Sequence, residues 1–401
     1  MQSTERFSAL YIRDFRLFWI GQLISLSGTW MQSVAQGWLV YSLTKSPFYL
    51  GIVAASAALP ILLFTFLGGV VADRFPKRNI LLLTQALSIV PALLLGILAH
   101  LNVVTVWHVA LLAAFLGTIN AFDIPVRQSF LIEMVGKGHI VNAIALNSAA
   151  FHGARLIGPV IAGLSITYFG IPACFYINAL SFVAVIIALA TMKTRGDLMV
   201  KSEGLINDFM RGIHFIKGNK KIIHVIILIA VFSFVGLPYI TLLPVFAEEV
   251  FHRGARGFGF LVSASGIGAL TAALGLASRG DIKNKTRFMS VAALCFSSAM
   301  IFFSISNNFY VSLVIIMFVG WGMVSYLASA NSYIQVSVPD ELRGRVMSVY
   351  SFVFLGTVPI GNALMGIVAD KIGTTHTVTI AGMICIIASA VFAKKYLKDN
   401  E

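Results

Sequence analysis

Of the 401 residues, 58% are hydrophobic and only 11% are charged, whereas a soluble domain carries about 25% charged residues. A water-facing globular surface is therefore excluded. The formal net charge of +13 suggests a nucleic-acid binder, but the basic residues sit at the ends of apolar stretches rather than on one face.

Twelve stretches are apolar and long enough to cross roughly 30 Å of hydrocarbon as helices. They lie near 17–41, 49–72, 80–100, 106–134, 141–168, 172–191, 222–247, 257–278, 288–305, 310–337, 346–369 and 376–393. Long unbroken runs favour helices over barrel strands, which alternate over about ten residues. The first run is too long for a signal peptide and lacks a small-residue cleavage site, so it is expected to remain as a span.

Span 1 carries Gln22, Ser25, Thr29, Gln32 and Gln36 at alternating spacings of three and four, which places them on one helical face. Unsatisfied in lipid, they face either a water-filled cavity, the favoured reading, or hydrogen-bonding groups of a neighbouring helix. Trp19 and Trp38, near the ends of the span, fit interfacial anchors.

Between spans 2 and 3 stands the most specific segment, Gly69-Val70-Val71-Ala72-Asp73-Arg74-Phe75-Pro76-Lys77-Arg78. Gly69 offers a close helix contact, and Asp73 could face a helix N-terminus. Arg74, Lys77 and Arg78 suit an anionic leaflet.

Span 4 holds Asp123 and, one turn on, Arg127; span 5 holds His152 and Arg155. An intramembrane charge costs several kcal/mol unless it is paired or faces water, so Asp123 is expected to pair with Arg127 or Arg155. One acid with two arginines leaves a positive site for an anionic group or a proton-linked rearrangement; a purely structural pair is the alternative. His152 alone is more often a hydrogen-bonded packing residue. Gly158, Pro159 and Gly163 follow in span 5.

The stretch from 192 to 221 is polar and basic and separates six spans from six. Ile206, Phe209, Ile213 and Ile216 recur there at helical spacing, which predicts a short amphipathic helix on the inner leaflet. The expected domains are 1–191, this linker at 192–221, and 222–401. At an offset of 203, Gly158, Gly163 and Gly170 fall on Gly361, Gly366 and Gly373, consistent with two parallel repeats. In span 7, Pro238, Tyr239, Thr241 and Pro244 predict a kink and a candidate gate, with Glu248 and Glu249 beyond it at the surface. Asn331, Tyr333 and Gln335 in span 10, and Tyr350 and Asn362 in span 11, are further candidates for a polar lining.

Lys and Arg crowd the N-terminus, alternate loops, the linker and the C-terminal tail. The opposite loops hold Lys45, Arg253, Arg256 and Lys371. The positive-inside rule then puts both termini in the cytoplasm, as an even number of spans requires. Cys174, Cys295 and Cys385 all lie in spans and read as small core residues. No P-loop, zinc-protease or nucleophile-elbow motif is present, so no enzymatic activity and no cofactor or metal is expected.

The segment from Gly69 to Arg78 resembles the loop signature of the major facilitator superfamily, Gly-x-x-x-Asp-Arg-x-Gly-Arg-Lys, with Pro76 where the family often has glycine. The resemblance implies an all-α membrane protein of two six-helix bundles. It also implies a lock on the cytoplasmic side involving Asp73, Arg74 and Arg78. The C-terminal counterpart near 275–287 keeps basic residues without a matching acid. Phe122-Asp123-Ile124-Pro125-Val126-Arg127-Gln128, Asn142-Ala143 and Pro339-Asp340-Glu341-Leu342-Arg343-Gly344-Arg345 are similar to the subfamily that includes enterobactin-type siderophore exporters. Gly158-Pro159-x-x-x-Gly163 is similar to the element of proton-coupled antiporters. The implied activity is efflux of a small amphipathic or anionic compound, coupled to protons, by a monomer in the cell membrane. A lipid or lysolipid translocator, an importer, and a non-transporting scaffold or receptor are the alternatives.

Overall fold

A computed structural model describes residues 8–194, 205–279 and 284–397. Six long helices come first: α1 (Arg13–Thr44), α2 (Pro47–Arg74), α3 (Lys77–His100), α4 (Val106–Gly136), α5 (Gly138–Phe169) and α6 (Ile171–Thr191). The short α7 (Leu205–Gly218) follows. Six more complete the chain: α8 (Lys220–Val250), α9 (Gly254–Arg279), α10 (Lys285–Ile305), α11 (Phe309–Ser337), α12 (Asp340–Ile372) and α13 (Thr374–Leu397). Among the described residues 11 helices combine the length and hydropathy of a membrane crossing. The twelfth long helix, α1, has 32 residues and carries the polar stripe.

The ends of the helices follow from local chemistry. α4 and α5 are separated only at Gly136, whose φ of 66° is left-handed and costs glycine little. α8 loses regularity where its prolines remove backbone donors. A π turn over Phe232–Gly236 precedes Pro238, a 3-10 stretch over Leu237–Leu242 contains it, and a second π turn follows Pro244.

The chain divides into two compact units. The first comprises Met1–Lys45, Ser56–Lys201 and Gly254–Ser263; the second comprises Ser46–Ala55, Ser202–Arg253 and Ala264–Glu401. The core of the first joins Phe15 and Phe18 of α1, Leu81 of α3, Val126 and Phe130 of α4, and Leu189 of α6. In the second, Phe232, Phe296 and Tyr326 pack ring against ring, with centroids 4.6 Å apart for Phe232 and Tyr326.

The two sets of glycines spaced 203 apart occupy matching surroundings. Gly158 lies against the Ser27 carbonyl and Trp30 of α1, and Gly361 against the Phe234 carbonyl and Pro238 of α8. Gly163 meets the start of α9 at Ala255 and Arg256; Gly366 meets the start of α2 at Pro47 and Gly51. Gly170 and Gly373 both end their helices with left-handed φ, 81° and 88°. Each position lacks room for a side chain or needs a conformation that glycine tolerates, so the shared spacing reflects shared packing.

α7 forms as its periodicity predicts. It packs on α12 rather than lying free: Phe209 stacks edge-on against Phe352 at 5.5 Å, and Gly212 faces the Arg345 carbonyl. Residues 195–204 of the predicted linker lie outside the described residues. Trp19 is also more than an interfacial anchor, since its indole N–H donates to the Leu146 carbonyl of α5 at 2.8 Å.

One tie was not anticipated from sequence. Asp14, in the first turn of α1 and ahead of its apolar span, accepts hydrogen bonds at Oδ2 from the Lys193 and Thr194 amides and the Thr194 hydroxyl, at 2.8–2.9 Å. Burial pushes the carboxyl up, but these bonds from Thr194 and Lys193, with Arg13 adding to them, outweigh it and hold it below the usual range. Its stabilisation is therefore complete above the ordinary carboxylate pKa of 3.8 and is lost as pH falls through the lowered native value. Asp14→Ala will cost about 1–2 kcal/mol at neutral pH. Melting curves from pH 7 downward will show the gap from wild type closing only under acid conditions below about pH 4.

Candidate functional site

The charged centre lies in the first unit, on the seam of α3 and α4. Asp123 is 1% exposed. Its Oδ1 pairs with Nη2 of Arg127, one turn along α4. Its Oδ2 accepts from the Thr84 hydroxyl at 2.6 Å and from Nε2 of Gln85 at 2.9 Å, both on α3. Three donors on one carboxylate satisfy an ionised acid in a place that would otherwise reject it. The Arg127 side chain keeps 22% of its surface, against 1% for Asp123.

Arg155 is the second arginine expected near Asp123. It is buried on α5 with its guanidinium 5.4 Å over the Trp30 ring of α1, a cation–π contact. Of the two partners expected for Asp123, the ion pair is made with Arg127. His152 is half-buried beside Phe151, with ring centroids 5.5 Å apart, and its Nδ1 has no hydrogen-bond partner among the described residues.

Within the stripe on α1, burial and bonding differ from residue to residue. Gln22, Ser25 and Gln32 are buried in protein. Gln32 accepts from Nδ2 of Asn178 on α6 at 2.6 Å, and the Thr29 hydroxyl returns to the Ser25 carbonyl. Thr29 and Gln36 are half-buried. Gly28 sits under Asn178 and Ser181 and brings α1 and α6 close enough for this bond. At Gln32 the interhelical reading holds and the open cavity does not.

The segment from Gly69 to Arg78 resolves into distinct jobs. Gly69 is not the contact glycine: an added Cβ there would meet nothing within 4 Å, while one at Gly68 would collide with the Ala121 carbonyl of α4. Consequently Gly68→Ala will cost about 1–3 kcal/mol, and Gly69→Ala will be neutral or stabilising by up to about 1 kcal/mol. Thermal unfolding in detergent distinguishes the two. Lys77 does not face lipid headgroups. It is buried and pairs with Glu133 of α4, Nζ to Oε1 at 2.6 Å. Arg78 caps α6, donating from Nε to the Leu189 carbonyl at 2.6 Å and from Nη2 to that of Ala190 at 2.7 Å, where a helix end favours a cation. Asp73 is half-buried, and neither it nor the exposed Arg74 makes an ion pair among the described residues. The second copy near 275–287 lies partly outside the described residues.

Pro159 and Gly163 of the Gly-Pro element receive Gly259 of α9, whose added Cβ would strike the Pro159 carbonyl. In the second unit Tyr239 is fully buried with its hydroxyl 3.1 Å from that of Ser265, and Thr241 donates to Asn362 at 3.1 Å.

Thr84, Gln85 and Glu133 were missed from sequence. The signal was there: Thr84, Gln85 and Ser88 interrupt an apolar span, and Glu133 is an acid within the last turn of span 4.

The sequence profile of a family described as transmembrane secretion effectors, a branch of the major facilitator superfamily, matches residues 4–401. The chain belongs to this family. Relatives of this family member include the staphyloferrin A transporter of Staphylococcus aureus (strain NCTC 8325 / PS 47), 26% identical over 96% of this chain and 97% of that one. The multidrug efflux pump Tap of Mycolicibacterium fortuitum is 25% identical over 88% of each chain. The macrolide efflux protein A of Streptococcus pyogenes is 20% identical over 93% of this chain and 94% of that one. Solved structures share the fold. The nucleoside transporter NupG matches with a TM-score of 0.74 at 12% identity, over 96% of this chain and 100% of that one. A D-xylose–proton symporter matches with 0.74 at 14%, over 94% and 97%. The chain is a multi-pass membrane transporter of major facilitator architecture, not an enzyme.

Proposed function

We propose that this chain exports a small amphipathic or anionic organic compound, siderophore-like or drug-like, in exchange for protons, by alternating access. The observation that carries the reading is the sealed Asp123 carboxylate paired with the partly open Arg127. Such a pair lets one group take a proton while its partner meets an anion. The relatives named for staphyloferrin A transport and for multidrug and macrolide efflux support this substrate range. The distribution of Lys and Arg supports a cell-membrane placement with both termini cytoplasmic, and the chain is read as a working monomer. The Asp73–Arg74–Arg78 lock is assigned on the family resemblance, the Gly158-Pro159 element supports proton-coupled export by its likeness to antiporters, and the proline-interrupted stretch around Tyr239 is the candidate outer gate.

The test is flux in proteoliposomes with an imposed pH gradient. A carboxylate-rich siderophore or a lipophilic drug should move only with the gradient present, and an uncoupler should stop it. Transport indifferent to the gradient would refute proton exchange.

A lipid translocator on the same fold is the second reading. One feature favours it: an apolar groove of about 550 Å³ between α2, α3 and α4, walled by Phe75, Leu83, Leu87 and Phe115. Thr84, which holds Asp123, stands in its wall. Flux of a lysolipid that ignores pH would select this reading.

A further inference from the structure

We propose that the cleft between α7 and the start of α12 is a binding site for an anionic phospholipid. The cleft encloses about 740 Å³ within the second unit. Arg211, His214 and Lys217 of α7 and Arg345 of α12 line it, together with apolar Met210 and Phe215. Among the described residues no acidic side chain lines it; nearby Asp340 is paired with Arg343, and Glu341 is exposed beside Leu342.

The shape of the site comes from the packing. α7 is held on α12 by Phe209 against Phe352 and by Gly212 against the Arg345 carbonyl. With the helix pinned by that face, its basic residues turn to the cleft, and Met210 remains 57% exposed beside them. A methionine left open next to Arg211 and Lys217 does not serve solubility. It does suit a ligand that is anionic at one end and aliphatic at the other. A phosphate alone would use the cations and leave Met210 and Phe215 without a role. A phospholipid uses both, headgroup on the basic residues and the upper acyl chain on the apolar wall. The cleft also lies at the basic ends of the spans, where an anionic leaflet would supply that lipid. The assignment does not depend on what the protein transports.

Binding is measured on the purified full chain in neutral detergent by thermal shift and by lipid retention in native mass spectrometry. The probes are short-chain phosphatidylglycerol, the matching phosphatidylcholine, and inorganic phosphate. Phosphatidylglycerol should stabilise the protein and stay bound, while the other two should do neither. Arg211→Gln/Lys217→Gln should weaken phosphatidylglycerol binding by about 25-fold, about fivefold for each charge. Arg211→Lys should retain it. Arg13→Gln/Arg287→Gln, which removes two basic charges elsewhere, should leave it intact. Equal loss in both double variants would mean diffuse attraction and overturn the site. Protection by inorganic phosphate alone would make it a phosphate site and overturn the lipid assignment, as would equal binding of phosphatidylcholine.

Discussion

Asp123→Asn will abolish proton-driven flux while leaving substrate exchange at equilibrium measurable. The amide is close in size to the acid and can keep its bonds to Thr84 and Gln85 after a flip, so the α3–α4 seam survives. It cannot take or release a proton, and it leaves Arg127 without a counter-charge. Breaking a fully buried pair costs about 3–5 kcal/mol. Arg127 keeps 22% of its surface, so water recovers part of that and the loss should be about 2–4 kcal/mol. The two consequences are separable. Asp123→Asn combined with Arg127→Gln should regain most of the stability and none of the coupling, whereas Asp123→Glu should retain coupling. Coupled flux and exchange falling together, in proportion to folded protein, would reduce Asp123 to a structural pair.

The fold was legible because membrane-spanning helices follow from composition: length, hydropathy and loop charge depend on no distant partner. The glycine pairs at an offset of 203 were legible for a related reason, as a missing side chain is visible in the sequence itself. The site was legible only in part. Residue type marked Asp123 and Arg127 as costly, and their i,i+4 spacing made a local pair available. The direction of Arg155 depends on how α5 is rotated against α1, which its own sequence does not state. The stripe on α1 was read correctly as one face, but what that face meets depends on Asn178 and Ser181 some 150 positions away. Gly68 and Gly69 stand side by side, and only the crossing angle of α2 on α4 decides which is the contact.

Lys77 shows the same limit most sharply, and it yields the second large effect. Read from sequence, it is one of three basic residues at a membrane surface, where removing a single charge costs about 1 kcal/mol or less. The structure instead buries it against Glu133 at 2.6 Å, with the lysine side chain 2% and the glutamate 14% exposed. Lys77→Met should therefore cost about 3–5 kcal/mol, as should Glu133→Leu, because each leaves an uncompensated charge in a low-dielectric seam. Lys77→Met together with Glu133→Leu should be far less than additive, within about 1–2 kcal/mol of wild type, since well-packed apolar residues replace a buried pair at little cost. Unfolding of the four proteins in mixed micelles closes the cycle. Small, additive and salt-sensitive losses would return Lys77 to the surface. A large coupling energy would make this pair a fixed tie between α3 and α4, the two helices that also hold Asp123.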